Sequence, residues 1–352
     1  MNKLKLKNQL SAQLLLIIIT ITVMFPIVYI LGLSINPDGR RPSELVIFPA
    51  KPTLANYAQV LDRPTANPVS FSQLLSNSLM LSTGSAAMSL LIGVFAAYAF
   101  SRFKFVGRSF LMSAVLGLTL LPSVAGLLPL FILLNRIRTN AAMVGVAMLV
   151  LAILAIVVFG MFLLSRIRNR EAGGWTFVFG LGGLLIGALL LYGGIINFAK
   201  GAEEEFILRN SLYGVGITMI SGGLPFTIWY LKGYLDTIPK ELEEAARIDG
   251  ASFNQTFFLV VLPLAVPVLA IRFFLSFMGD WTEFYISWQF LTDPKDYTLA
   301  MTLWNIVGQY AANISWNIFA AYSVVVALPI AVVYAIFQKQ IVGGLTLGGV
   351  KG

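Results

Sequence analysis

Apolar residues fall into eight long runs separated by short polar stretches, at about 13–35, 74–100, 110–134, 141–164, 174–198, 211–231, 262–283 and 315–338. Each run reaches the about 20 residues that an α-helix needs to cross a bilayer, and few charges interrupt it. The pattern predicts an all-α fold: a polytopic helical membrane protein with about eight transmembrane helices. The first run follows Lys3, Lys5 and Lys7, a basic start shared with signal peptides. It is longer than the about 7–15 apolar residues of a signal sequence, and no small-x-small cleavage site follows, so it reads as an uncleaved span. Pro26, Pro122, Pro129, Pro225, Pro267 and Pro329 fall within spans and predict bent helices.

Composition narrows the chemistry. Of 352 residues, 58% are hydrophobic and only 11% charged, against about 25% charged in a soluble domain. The chain has no cysteine and no histidine. That excludes disulfides, thiol nucleophiles and metal sites built on imidazole or thiolate, and removes the commonest general base. No catalytic residue, metal site or cofactor is expected. No Gly-x-x-x-x-Gly-Lys-Ser/Thr loop is present to cradle a nucleotide, so any ATP is bound by another chain. Gly183 and Gly187 form a small-xxx-small pair suited to packing helices.

The 24 basic and 16 acidic residues give a net charge of +8, without long basic runs interleaved with aromatics, so nucleic acid is not an expected partner. With the N-terminus inside, fourteen Lys/Arg fall in inner segments and nine in outer ones, and Arg272 lies within a span. Arg136 and Arg138 dissent, and Glu203, Glu204 and Glu205 fall outside. The bias places both termini and the basic turn at 166–170 in the cytoplasm.

The polar interval at 232–263 carries the most information. Pro239 suits a first helical position, with Glu241, Glu243 and Glu244 near the positive helix end. Ile238, Leu242, Ala245 and Ala246 recur at helical spacing as one apolar stripe. Gly250 suits the C′ position, where positive φ costs little. Ser252-Phe253-Asn254-Gln255 reads as a capping box for a second short helix. The expectation is helix, glycine turn, helix, outside the bilayer. Its apolar stripe suits either a groove on a partner protein or the lipid surface.

These residues also carry a resemblance. Glu244-Ala245-Ala246, then Asp249-Gly250-Ala251, Val260 and Leu262-Pro263 resemble, at matching spacing, the EAA loop of permease subunits in bacterial ABC importers. Valine stands at 260 where isoleucine is commonest. Leu121-Pro122, Lys232-Gly233-Tyr234, Leu262-Pro263-Leu264 through Pro267, and Trp281-Thr282-Glu283-Phe284 are similar to the carbohydrate branch, which more often has asparagine at the position of Thr282. The C-terminal Gly343–Gly352 stretch resembles that of the MalG-like, maltose/maltodextrin-type permeases.

The resemblance covers roughly 1–137 and 206–352 and is absent over about 138–205. It implies a six-helix type I importer core over 74–342, preceded by a span and periplasmic loop at 1–73, interrupted by an inserted two-helix hairpin, and followed by a cytoplasmic tail at 343–352. It further implies a multi-pass protein of the bacterial inner membrane, coupled through Glu244, Ala245, Ala246, Asp249, Gly250, Ala251, Leu262 and Pro263 to a separate ATPase. Gly348, Gly349 and Lys351 of the tail would contact the ATPase; a glycine-rich tail also reads as a flexible linker. The implied partners are a second, MalF-like permease subunit, two copies of a cytoplasmic ATPase subunit, a periplasmic or lipid-anchored sugar-binding protein, and membrane lipid.

Sugars call for aromatic faces and planar polar groups. Asp280, Trp281, Glu283, Tyr285, Trp288 and Gln289 supply both at the outer end of the seventh run, where an interfacial aromatic belt would use the same residue types. Arg272 lies two helical turns from Asp280, too far for a direct pair. The leading substrates are maltose or maltodextrin, with trehalose as an alternative. The rival class, an ion-coupled secondary transporter, calls for internal repeats and midplane carboxylates, and the runs hold few acids.

Overall fold

The computed structural model describes residues 6–39, 47–65, 67, 69–120, 123–168, 174–308 and 315–349. In chain order the elements are α1 (Leu6–Ser34), α2 (Ala55–Asp62), α3 (Phe71–Arg102), α4 (Arg108–Leu120), α5 (Leu127–Arg136), β1 (Arg138–Asn140), α6 (Ala141–Arg168), α7 (Gly174–Lys200), β2 (Glu205–Ile207), α8 (Leu212–Leu235), α9 (Glu241–Ile248), α10 (Phe253–Thr256), α11 (Leu262–Trp281), α12 (Tyr285–Phe290), α13 (Leu299–Gly308) and α14 (Trp316–Gly349). Seven of these helices are long and apolar enough to cross a membrane: α1, α3, α6, α7, α8, α14, and α11 with the helical turns that lead into it.

The run expected at 110–134 is not one straight helix. It is α4 and α5, joined in part by a 3-10 turn at Ser123–Gly126. Pro129 sits in the first turn of α5, where its missing N–H breaks no helical hydrogen bond. Pro122, expected to bend this run, lies outside the described residues. The two pieces together follow the whole of α8. Met112 and Leu116 share a groove with Trp229, Tyr230 and Gly233 near one end of α8, and Asn135 accepts a hydrogen bond from Arg209 (3.1 Å) beside the other. Neither piece is long enough to cross a membrane by itself, so the described residues hold seven helices of membrane-spanning length where eight runs were expected. Pro26, Pro225, Pro267 and Pro329 lie within α1, α8, α11 and α14.

The chain forms two compact units. One comprises 1–75 and 297–331. Here the Asn56 amide donates to the carbonyls of Ser34 and Asn36, both at 2.8 Å, and its Oδ1 accepts from Asn317 at 3.0 Å. Asn56 thereby serves carbonyls at and just beyond the end of α1, which have no partner within a helix. Tyr322 is buried against Phe71 and donates to the Leu299 carbonyl at 3.1 Å.

The other unit comprises 76–296 and 332–352. Its core joins Val94, Ala97 and Tyr98 of α3 to Leu231, Leu235 and Ile238 at the end of α8, and to Phe257, Val261, Leu262, Ala265, Val268 and Leu269 leading into and along α11. Helices α6 and α7 pack as an antiparallel hairpin. A methyl group on Gly183 would strike the Phe159 ring, and one on Gly187 would lie 2.6 Å from Ile156 Cγ1. The glycine pair therefore does pack helices, by letting large side chains of α6 reach the α7 backbone. The roots of the hairpin pair as an antiparallel ladder, Arg138↔Ile207, Thr139↔Phe206 and Asn140↔Glu205. Much of the outward side of α6 is exposed and apolar, from Met143 to Leu164.

Candidate coupling loop and candidate substrate path

Between α8 and α11 the chain folds as the sequence predicts: helix, glycine turn, helix. Helix α9 begins at Glu241, with Lys240 as its N-cap and Pro239 just before it, rather than at Pro239. The Lys240 carbonyl accepts from the N–H groups of Glu243 and Glu244, both at 3.0 Å. At the other end Gly250 has φ of 88°. The Ala251 N–H donates to Ala246 at 2.9 Å and the Gly250 N–H to Arg247 at 3.0 Å, the pair of bonds that defines a Schellman stop. A Cβ on Gly250 would meet nothing within 4 Å, so glycine is required by conformation and not by space. Ser252 and Gln255 then form the reciprocal capping box, with the Ser252 N–H donating to Gln255 Oε1 at 2.7 Å and Ser252 Oγ accepting at 3.3 Å. Helix α10 passes through a π turn, Phe257–Val261, into α11.

The predicted apolar stripe divides. Ile238 enters the core, whereas Leu242 is 45% exposed and Ala245 is exposed. Ile248 is 87% exposed and Phe253 41%. Glu244 and Asp249 are also exposed, Ala246, Ala251 and Pro263 are half-buried, and Leu262 is buried. The element thus turns one side to the core and leaves an uncovered apolar surface beside Glu244.

Its root is fixed by charge. Glu243 is buried at 4% exposure. Its Oε1 lies 2.5 Å from Arg102 Nε and its Oε2 accepts from the Tyr98 hydroxyl at 3.0 Å. Arg102 also donates to Ser101 Oγ at 2.9 Å and to the Ile238 carbonyl at 3.1 Å. Each guanidinium nitrogen and each carboxylate oxygen has a partner, the condition under which a buried ion pair can repay its desolvation. Ser101 donates to Asp236 at 2.6 Å and Lys232 to the same carboxylate at 2.5 Å. Burial pushes the Asp236 carboxyl up, but the Lys232 and Ser101 bonds outweigh it and hold it below the usual carboxylate range. Sequence reasoning singled out Glu244 and missed the role of Glu243. Tyr98 and Arg102 lie one turn apart on α3, so they share a face, yet their partner, 145 and 141 residues away, becomes visible only in the fold.

Within the same unit a polar seam joins α3, α8 and α11. Arg272, 7% exposed, donates to Thr227 Oγ1 at 2.9 Å and to the Gly223 carbonyl at 3.3 Å, and stacks over Phe226. Thr227 meets Ser89 at 3.2 Å. Two turns further along α11, Asp280 accepts from Ser85 at 2.5 Å. Arg272 and Asp280 therefore have separate partners, as their spacing requires. Trp281 is fully buried and stacked on Phe277. Glu283 turns back to accept from the N–H groups of Ile286 (2.5 Å) and Ser287 (3.3 Å), fixing the start of α12. Burial raises its pKa despite these bonds. Tyr285, Trp288 and Gln289 are exposed. An apolar cavity of about 210 Å³ lies elsewhere, between α3, α7 and α11; apart from Thr83 its lining is apolar, so it offers few partners to hydroxyls. Gly348 and Gly349 end α14. Lys351 lies outside the described residues.

Seven helices of membrane-spanning length make this a multi-pass membrane protein. The chain belongs to the family of binding-protein-dependent transport system inner membrane components, whose model matches residues 89–342. It is accordingly a membrane component of a transport system and not an enzyme. It is 29% identical over 343 residues to the galactooligosaccharides transport system permease protein GanQ of Bacillus subtilis, covering 97% of this chain and 95% of that one. It is also 29% identical over 348 residues to the maltose/maltodextrin transport system permease protein MalG of Escherichia coli, with 97% and 95% covered. Among solved structures, a bacterial ABC transporter involved in the import of the acidic polysaccharide alginate shares the fold. Its TM-score is 0.60 at 20% identity, over 97% of this chain and 100% of that one.

Proposed function

We propose that this chain is one permease subunit of an ATP-driven sugar importer and supplies half of the translocation path, for maltose, maltodextrin or a similar oligosaccharide. The observation that carries this reading is the α9–Gly250–α10 element, with Glu244 and an uncovered apolar surface on a loop whose root is buried. A water-exposed loop gains nothing from Leu242, Ile248 and Phe253 on its surface; a docking helix does. In this reading Glu244 makes a polar contact with a cytoplasmic ATPase subunit. Ala245 and Ala246 allow close approach, Asp249 and Ala251 flank the Gly250 turn, and Leu262 and Pro263 begin the span that carries the motion.

Two ATPase subunits closing on ATP draw this loop toward its counterpart on a MalF-like partner permease. The spans then switch from facing inward to facing outward beneath a sugar-binding protein. The free energy comes from contacts that differ between the two states. Both termini and the turn at 166–170 lie in the cytoplasm. The similarity to galactooligosaccharide and maltose/maltodextrin permeases supports a saccharide cargo. Asp280, Tyr285, Trp288 and Gln289 are the proposed sugar contacts, framed by Trp281 and Glu283. The C-terminal residues Gly348, Gly349 and Lys351 reach the ATPase, and α6 and α7 are an insertion into a six-helix core. An ion-coupled carrier would leave the capped loop without a task.

Uptake into inside-out and right-side-out vesicles tests the class. Uptake of radiolabelled maltose or maltotriose that requires ATP and the cognate binding protein is the expected result. Uptake driven by an ion gradient without ATP would contradict it. For topology, a cysteine at Ser165 should be silent toward a reagent confined to the periplasm, and labelling there would reverse the assigned orientation.

A further inference from the structure

Resting on the reading of α9 as the coupling element, we propose that the Arg102–Glu243 pair, with Tyr98, is a positioning device that makes α9 and α3 move as one body. The loop could have been attached to the membrane core through α8 and α11 alone, its two covalent neighbours. A third attachment crosses to a helix far away in sequence, and it is made of charge. Glu243 has both carboxylate oxygens engaged by α3, at 2.5 Å from Arg102 Nε and 3.0 Å from the Tyr98 hydroxyl. Arg102 then reaches past Glu243 to the Ile238 carbonyl at 3.1 Å, on the segment between α8 and α9. The planar guanidinium fixes both distance and angle, which a lysine at the same place would not.

Position gives the pair its consequence. Helix α3 has 32 residues and is about 48 Å long at 1.5 Å per residue, longer than the about 30 Å hydrocarbon core. Its last turn therefore projects to where α9 lies. Further along the same helix, Ser89 and Ser85 meet Thr227 and Asp280. A displacement of α9 is thus delivered, through one stiff helix, to the polar seam between the spans. Glu243 and Glu244 are adjacent in sequence and divide the work: Glu243 faces inward and ties α9 to α3, while Glu244 faces outward to the docking surface.

The test uses the assembled importer with spin labels on cysteines at Ile92, exposed on α3, and Glu241, exposed on the first turn of α9; no native cysteine interferes. The distance between them is read by pulsed electron resonance, without nucleotide and with the ATPase trapped by a non-hydrolysable analogue. In the parent protein the distribution should be narrow and its mean the same in both states. Glu243→Gln and Arg102→Gln should broaden it severalfold and raise the ATP hydrolysed per sugar transported, while the ATPase still co-purifies. The exchange Arg102→Glu with Glu243→Arg should narrow it again. If Glu243→Gln leaves the distribution narrow, or if α9 shifts against α3 in the parent on nucleotide binding, the proposal is overturned. A parent complex that holds no ATPase at all would instead defeat the coupling reading, and this proposal with it. A Glu244→Lys control with a narrow distribution but lost ATPase would support both.

Discussion

The loop at 232–263 and the hairpin of α6 and α7 are secured in opposite ways. The loop is short and polar, and its shape is set residue by residue: Gly250 at φ 88°, a Schellman stop, a capping box and a buried ion pair. The hairpin is long and apolar. Close packing of Gly183 and Gly187 beneath Phe159 and Ile156 holds its two helices together, and a three-residue ladder ties its roots. Directional bonds specify one geometry and fail when one atom is lost. Packing in lipid tolerates more, because side chains displaced from a neighbour find acyl chains instead. The proposed coupling role calls for the first kind of construction.

The largest effect expected from this contrast is at the root of the loop. Arg102→Leu leaves the Glu243 carboxylate buried without its partner, a change that typically costs about 3–5 kcal/mol. Its thermal melting in detergent should fall far more than that of Glu244→Ala, where only an exposed side chain is trimmed. Equal losses would mean that the pair does not anchor the loop.

Gly250→Val comes next. The left-handed conformation costs a residue with a Cβ about 1–2 kcal/mol, and the site is otherwise open. The variant should reach the membrane and lose most uptake, whereas Gly250→Asn, which tolerates positive φ, should keep more. If valine and asparagine behave alike, space or sequence-specific contact matters and conformation does not.

The hairpin should be more forgiving. Excising 141–204 and joining Asn140 to Glu205 through an Asn-Gly turn converts the existing ladder into a simple β-hairpin. The shortened chain should still co-purify with its partners, because two spans are removed and the flanking ones keep their direction. Failure of the complex to form, with the protein present in the membrane, would show that the hairpin belongs to the core.

The smallest effect concerns pH. The Asp236 carboxyl is held below the usual range by Lys232 and Ser101. Its contribution is therefore present above the unfolded value, about pH 4, and is lost as pH falls through the lower folded value. Asp236→Asn should flatten the acid side of the melting profile and leave the neutral side nearly unchanged. A steeper acid loss in the variant would reverse the sign of this linkage.

The same contrast explains what could be read from the sequence. Spans follow from hydropathy alone, and the glycine turn and capping box follow from local rules that need only a few neighbouring residues. The break between α4 and α5 was partly legible in Pro122 and Pro129, but hydropathy does not distinguish one crossing from two shorter helices in line. The Arg102–Glu243 pair was not legible, since either of two adjacent glutamates could face inward and only the docking of α9 onto α3 chooses Glu243. The separate partners of Arg272 and Asp280 were likewise hidden: spacing excluded their pairing, but Thr227 and Ser85 lie on other helices.

In the proposed function an ATPase docks on the surface beside Glu244. Glu244 is exposed, so Glu244→Lys should reverse a charge on that surface without disturbing the fold. The most direct measurement is the amount of ATPase that co-purifies with this variant, relative to the parent protein at equal membrane levels. A marked loss of ATPase is expected, while thermal melting of the permease stays unchanged. Retention of ATPase at the parental level would contradict it.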